Sequence, residues 1–259
     1  MPRTTHGFVR RLALVAIWLM STAAADQPIA GNPLVEISAG SFVFGKDSGP
    51  PNEAPARVIE LPAFRINMFE ITNAQFAAFA AETGHRPSFY WNHPQLGLPD
   101  RPVVGVAFVD AEAFCSHYGL RLPSEEEWER AARGTKGWSH PWGNDAVTPE
   151  RANRGAPSCC TPDTADGYAL TAPVGRYAKG ASAEGVQDLI GNVWEWVDAW
   201  YNPYGTPAAA VDRSYRVLRG GAWNSDDLHL TATYRLAYRP DFAFAANGGF
   251  RCVRSIAPE

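Results

Sequence analysis

Gly191-Asn192-Val193-Trp194-Glu195-Trp196 sets one carboxylate between two indoles. An ionised carboxylate among large apolar rings is costly unless something pairs with it. Glu195 therefore needs a partner, and the plain candidate is an arginine. Around this hexapeptide, residues 134–188 and 198–213 read mostly as loop. The chain of 259 residues holds 23 Gly and 21 Pro, about 17% together, against roughly 12% in average usage. That content excludes a helical bundle and predicts a globular chain rich in turns.

Upstream, three helices have well-marked ends. Thr72-Asn73-Ala74-Gln75 is a capping box, followed by Phe76, Phe79 and Ala80 on one face and Gly84 as the stop. Asp110 is expected to cap a second helix, with Ala111, Phe114, Cys115 and Tyr118 facing inward and Gly119 ending it. Ser124 with Glu127 opens a third, which ends at Arg133-Gly134; Pro123 closes the strand-like Leu120 to Leu122 before it. Short β-like pieces lie at 35–37, 42–44, 58–61, 64–66 and 216–218. No repeat or composition break divides the chain, so it reads as one α+β domain.

Nine Trp, nine Tyr and thirteen Phe supply too much apolar surface for disorder. A formal net charge of -4 offers no field for phosphate and excludes nucleic acid as the natural partner. Residues 1–25 carry Arg3, Arg10 and Arg11, then the apolar run Leu12 to Met20, then Ala23-Ala24-Ala25. A run this short does not span a bilayer at roughly 20 residues per helix and reads as a secretory signal cleaved before Asp26. Export would follow the general secretory or the twin-arginine route, leaving a periplasmic or secreted chain with no membrane span. In an oxidising compartment Cys115, Cys159, Cys160 and Cys252 predict disulfide bonding, with three connectivities open. The adjacent Cys159 and Cys160 would form a strained bridge, so they read as a redox pair, a thiolate metal site or a reduced loop pair.

Six segments in order carry a resemblance: 70–76 (Glu70 to Phe76), 121–129 (Arg121-Leu122-Pro123-Ser124-Glu125-Glu126-Glu127-Trp128-Glu129), Pro141-Trp142-Gly143, the hexapeptide at 191–196, Arg219-Gly220-Gly221-Ala222-Trp223 and Gly249-Phe250-Arg251. Together they resemble the formylglycine-generating enzyme family, the sulfatase-modifying-factor domain, over residues 34–254. The resemblance implies a C-type-lectin-like fold with little regular secondary structure. It also implies bound calcium and, in the family's enzymes, copper-dependent oxidation of a sulfatase cysteine to formylglycine.

By that resemblance one calcium ion falls to Asn153, Arg154, Asp166 and Tyr168, and a second to Asp188, Gly191, Val193 and Glu195. The donor set of carboxylates, an amide and loop carbonyls suits a hard cation. The resemblance also pairs Cys115 with Cys252. The family's second bridge would need cysteines near Ala132 and Leu236, and both are missing.

The family's catalytic cysteine pair, whose soft thiolates hold Cu(I), has no counterpart here. Ser225 stands at the first position and Leu230, or Thr231, at the second, so copper is not expected there. Asp226, Asp227 and His229 offer two carboxylates and an imidazole within four residues, as a metal or catalytic set or as a solvated turn. Trp223, Trp91, Tyr90 and His93 are candidates for an aromatic pocket. Two functions follow: oxidative or accessory maturation of a protein or peptide-derived substrate, or non-catalytic binding of a peptide, glycan or partner protein by a lectin-like monomer. Family-like proteins lacking the cysteine pair are similar to one maturing a periplasmic siderophore chromophore and to accessory proteins of copper nitrite reductases. The sulfoxide synthases of ergothioneine assembly share the domain but add a helical domain with a histidine iron site, for which the residues before Leu34 leave no room.

Overall fold

Glycines at tight approaches set the centre of the structure. In the computed structural model, which describes residues 1, 28–156 and 163–256, Gly191 has φ +82° and a Cβ there would lie 2.2 Å from the Asn153 carbonyl oxygen. Gly220 has φ +95°, and its Cβ would meet the Leu189 carbonyl oxygen at 2.8 Å. Only glycine fits either turn, and through them three loops converge behind Trp194.

From there the hexapeptide runs into β5 (Trp194–Trp200), the longest strand. It pairs antiparallel with β6 (Arg216–Arg219) and parallel with β8 (Gly248–Gly249), while β7 (Leu236–Tyr238) flanks β6. A second sheet has the order β1-β4-β9, formed by Leu34–Ile37, Phe64–Asn67 and Val253–Ser255, all antiparallel. β2 (Gly40–Phe44) and β3 (Arg57–Leu61) make a separate hairpin.

The helices are α1 (Asn73–Thr83), α2 (Phe108–His117) and α3 (Glu125–Arg133). Both expected capping boxes are formed, by Thr72 with Gln75 and by Ser124 with Glu127. α2 differs: it starts at Phe108, and Asp110 sits in its first turn, reaching back to accept the Ala107 N–H at 2.8 Å. Leu120 to Leu122 forms no strand; Arg121 alone bridges Val253.

The core has two main parts. Phe76, Phe79, Phe114 and Phe250 pack ring against ring between α1, α2 and the chain after β8. Trp128, Ile66, Val197, Val217 and Leu230 fill the space between α3 and the sheets. Cys115 of α2 and Cys252 form a disulfide with Cα atoms 5.7 Å apart, the pairing that the resemblance implied. Among the described residues, no helix is long and apolar enough to cross a membrane.

Candidate functional site

Glu195 is buried, and its partner is the arginine of Gly249-Phe250-Arg251. Arg251 Nη2 donates to one carboxylate oxygen at 2.7 Å and Nε to the other at 2.8 Å, while Trp128 Nε1 donates to the second at 2.8 Å. Two further buried acids lie near. Glu70 accepts from Asn192 Nδ2 at 2.6 Å and from the Val193 N–H, and Asp188 accepts from the Gly175 N–H at 2.6 Å. Burial raises the Glu70 pKa well above the usual carboxylate range, and the charges of Asp188 and Glu195 add to the shift. Burial likewise pushes Asp188 up to about 6. Three carboxylates thus face one guanidinium, an excess of negative charge that a bound cation would relieve. Since Arg251 already satisfies Glu195, Asp188 is the member of the second calcium set with charge to spare. Asp188, the carbonyls of Gly191 and Val193, and Glu195 would hold that ion.

The other calcium set also comes together. Asp166 accepts the Arg154 N–H at 2.7 Å and the Tyr168 N–H at 2.9 Å, tying the two segments into one loop. Burial raises its pKa. Asn153 is fully buried; its Nδ2 donates to the Leu170 carbonyl and to Asn192 Oδ1, yet its Oδ1 has no partner. An orphaned buried acceptor beside an Asp-bearing loop fits a calcium ion held by Asn153, Arg154, Asp166 and Tyr168. Asn192 joins Asn153 to Glu70: its Oδ1 accepts from Asn153 Nδ2 and from the Ala172 N–H at 2.8 Å, and its Nδ2 donates to Glu70.

The segment 222–231 is organised differently. Ser225 Oγ accepts the Ala222 N–H at 3.0 Å and the Ser225 N–H returns to the Ala222 carbonyl, so the hydroxyl closes a buried turn. Leu230 is wholly inside the core, and the buried Thr231 hydroxyl has no partner. None of these three replaces a thiolate on Cu(I). Asp226 Oδ1 pairs with His229 Nδ1, whereas Asp227 turns away to Arg154 at 2.7 Å. The three side chains are therefore divided and do not converge on one metal position. Cys159, Cys160 and the segment 1–25 apart from Met1 lie outside the described residues.

The four candidate aromatics do not share a pocket. Trp91 lies over a cleft of about 250 Å³ lined by Ala74, Ala77, Ala80, Pro87 and Pro99. Trp223 is buried, with Nε1 donating to the Ala246 carbonyl. The Tyr90 hydroxyl donates to the Phe244 carbonyl, and His93 Nδ1 accepts the N–H groups of Gln95 and Leu96. Sequence reasoning missed Glu70 and Asn192 as parts of the site. A glutamate three residues after Asn67, inside an otherwise apolar stretch, is the available signal.

This arrangement is that of a known family. The sulfatase-modifying factor enzyme 1-like domain matches residues 21–256, and the chain belongs to that family. It is 32% identical to the inactive C-alpha-formylglycine-generating enzyme 2 of Mus musculus, over 93% of this chain and 92% of that protein. It is also 32% identical to the formylglycine-generating enzyme of Thermomonospora curvata, over 85% and 92% of the two chains. The solved structure of PvdO from Pseudomonas aeruginosa aligns with a TM-score of 0.72 over 86% of this chain and 94% of that one, at 24% identity, and so shares the fold.

Proposed function

We propose that this chain is an exported, calcium-stabilised member of the family that takes part in maturing a protein or peptide-derived client, oxidatively or as an accessory, by a route that does not use the copper–thiolate centre. The observation that carries this reading is the turn at 222–231, where the backbone-capping Ser225 and Leu230 in the core, or Thr231 beside it, take the places the resemblance gives to the thiolates, while the surrounding frame is intact. The family supplies the oxidative and maturation context; the side chains of residues 222–231 supply no soft ligand pair for Cu(I). Calcium, held by the two sets above, would fix the loops that carry them and perform no chemistry itself.

The test uses the purified chain beginning at Asp26, with metal content measured alongside oxygen uptake on a sulfatase-derived cysteine peptide supplied with Cu(I). Calcium without tightly bound copper, and no aldehyde, is the expected result. Aldehyde formation overturns the reading. Fractionation of producing cells and N-terminal sequencing check export, with Asp26 expected as the first residue of the exported form.

A second reading is a non-catalytic lectin-like binding module for a peptide, glycan or partner protein. The 222–231 turn, with no thiolate among its side chains, is the observation in its favour, and one relative at 32% identity is named as inactive. Client binding without any turnover would select that reading.

A further inference from the structure

Asp226 and His229 form a pair that neither calcium nor copper accounts for. Asp226 Oδ1 meets His229 Nδ1 and also accepts the His229 N–H at 3.3 Å. The His229 and Leu230 N–H groups both donate to the Asp226 carbonyl, at 3.1 and 3.2 Å, and the buried Leu230 anchors the turn. An ionised carboxylate can only accept, so a neutral imidazole held this way carries its proton on Nδ1 and leaves a lone pair on Nε2. The competing acid, Asp227, is diverted to Arg154.

The ring is held in place from its sides as well. Tyr234 packs edge-on against it with centroids 4.6 Å apart, and Trp194 lies 6.3 Å away nearly perpendicular. The side chains of His229 and Asp226 are 19% and 16% exposed, shielded but reachable. A base oriented by a second group is the arrangement that general acid–base catalysis requires. It follows directly after Ser225, at the place where the family's enzymes keep a thiolate.

We propose that His229 is an acid–base catalytic residue oriented by Asp226, and that it takes the proton of a hydroxyl borne on an aromatic ring placed against Tyr234. The aromatic surroundings favour a ring over an aliphatic alcohol. In the step, the substrate O–H bond breaks and its electron pair stays on oxygen. The proton bonds to Nε2, and the imidazolium keeps its Nδ1–H on Asp226. No oxidant is consumed. This inference rests on the reading that the chain acts on a client, and it names the chemical class.

The experiment uses the chain from Asp26 and two readouts. The imidazole ¹⁵N spectrum of the wild-type protein should show neutral His229 protonated on Nδ1, a signature that should change in D226N. With 4-nitrophenol as probe, at a pH where the free probe is mostly protonated, the protein should raise the phenolate absorbance. That rise should fall about tenfold in H229Q, fall markedly in D226N and persist in D227N. Protonation on Nε2, an undiminished rise in H229Q, or tight binding of Zn²⁺ or Cu²⁺ at His229 would overturn the proposal. The ¹⁵N readout needs no variant, so a poorly folded substitution does not blunt it. Failure of the maturation reading shows separately, as a client left unprocessed by a wild-type protein whose phenolate response is intact.

Discussion

Two regions only a few residues apart in the fold have been treated in opposite ways. One is the buried ionic frame. Besides the Glu195–Arg251 pair, Arg219 donates to Glu125 and to Glu129, Arg235 grips Glu125, and Arg133 grips Glu129, all of them buried. The other is the 222–231 turn, with its backbone-capping Ser225, core Leu230 and Asp226–His229 pair. The frame is complete; the turn is rewritten. The frame's acids, with Arg219 and Arg251, come from segments that make the family recognisable: 121–129, 191–196, 219–223 and 249–251; Arg133 and Arg235 lie outside them. Those strings are therefore structural requirements, since each buried charge needs its partner. The polar side chains of the 222–231 turn are not part of that closed set, so they can change while the fold stays.

The largest effect should come from the frame's covalent tie. Replacing both Cys115 and Cys252 with alanine opens a loop of 137 residues and should cost about 4–5 kcal/mol in denaturant unfolding. R251M comes next. It strands Glu195 beside Glu70 and Asp188 in a buried site, and about 3–5 kcal/mol of destabilisation is expected by the same measurement. If R251M proves neutral, the contrast between the two regions fails.

Chelation sharpens the comparison from the side of the loops. With calcium at a hundredfold its Kd, an excess of chelator should remove about 3 kcal/mol per site, read as a lower melting temperature. N153A should weaken that response, because it deletes the orphaned acceptor. Within the rewritten turn the effects shrink. S225A strands the Ala222 N–H and should cost about 1–2 kcal/mol. D227N, at an exposed ion pair, should change stability by no more than about 0.5 kcal/mol.

What was legible in the sequence follows the range of each interaction. The caps of α1 and α3 are local, three residues from donor to acceptor, and were visible as such. α2 was placed too late because Asp110 serves the Ala107 N–H from inside the first turn, an inverted cap that looks like an ordinary one. β5 escaped notice because its first four residues are all buried, which erases the alternation that marks a half-buried strand. β8, two residues long and paired in parallel with β5, has no pattern to read. In the site, Glu195 announced its need for a partner, but the choice of Arg251, 56 residues away, is a property of the fold. Arrangement also separated Asp227 from Asp226 and His229, although all three are near neighbours in the chain.

The bridge between Cys115 and Cys252 has a consequence for how the molecule is put together. A ribosome delivers residue 115 long before residue 252, so half the sequence must be synthesised before the two sulfurs can meet. During that interval the helix bearing Cys115 carries an unpaired thiol and depends on ring packing and early ion pairs alone. Closure therefore waits for the same short segment that brings Phe250 to the core and Arg251 to Glu195, and any truncation upstream of Cys252 yields a chain that can never be locked.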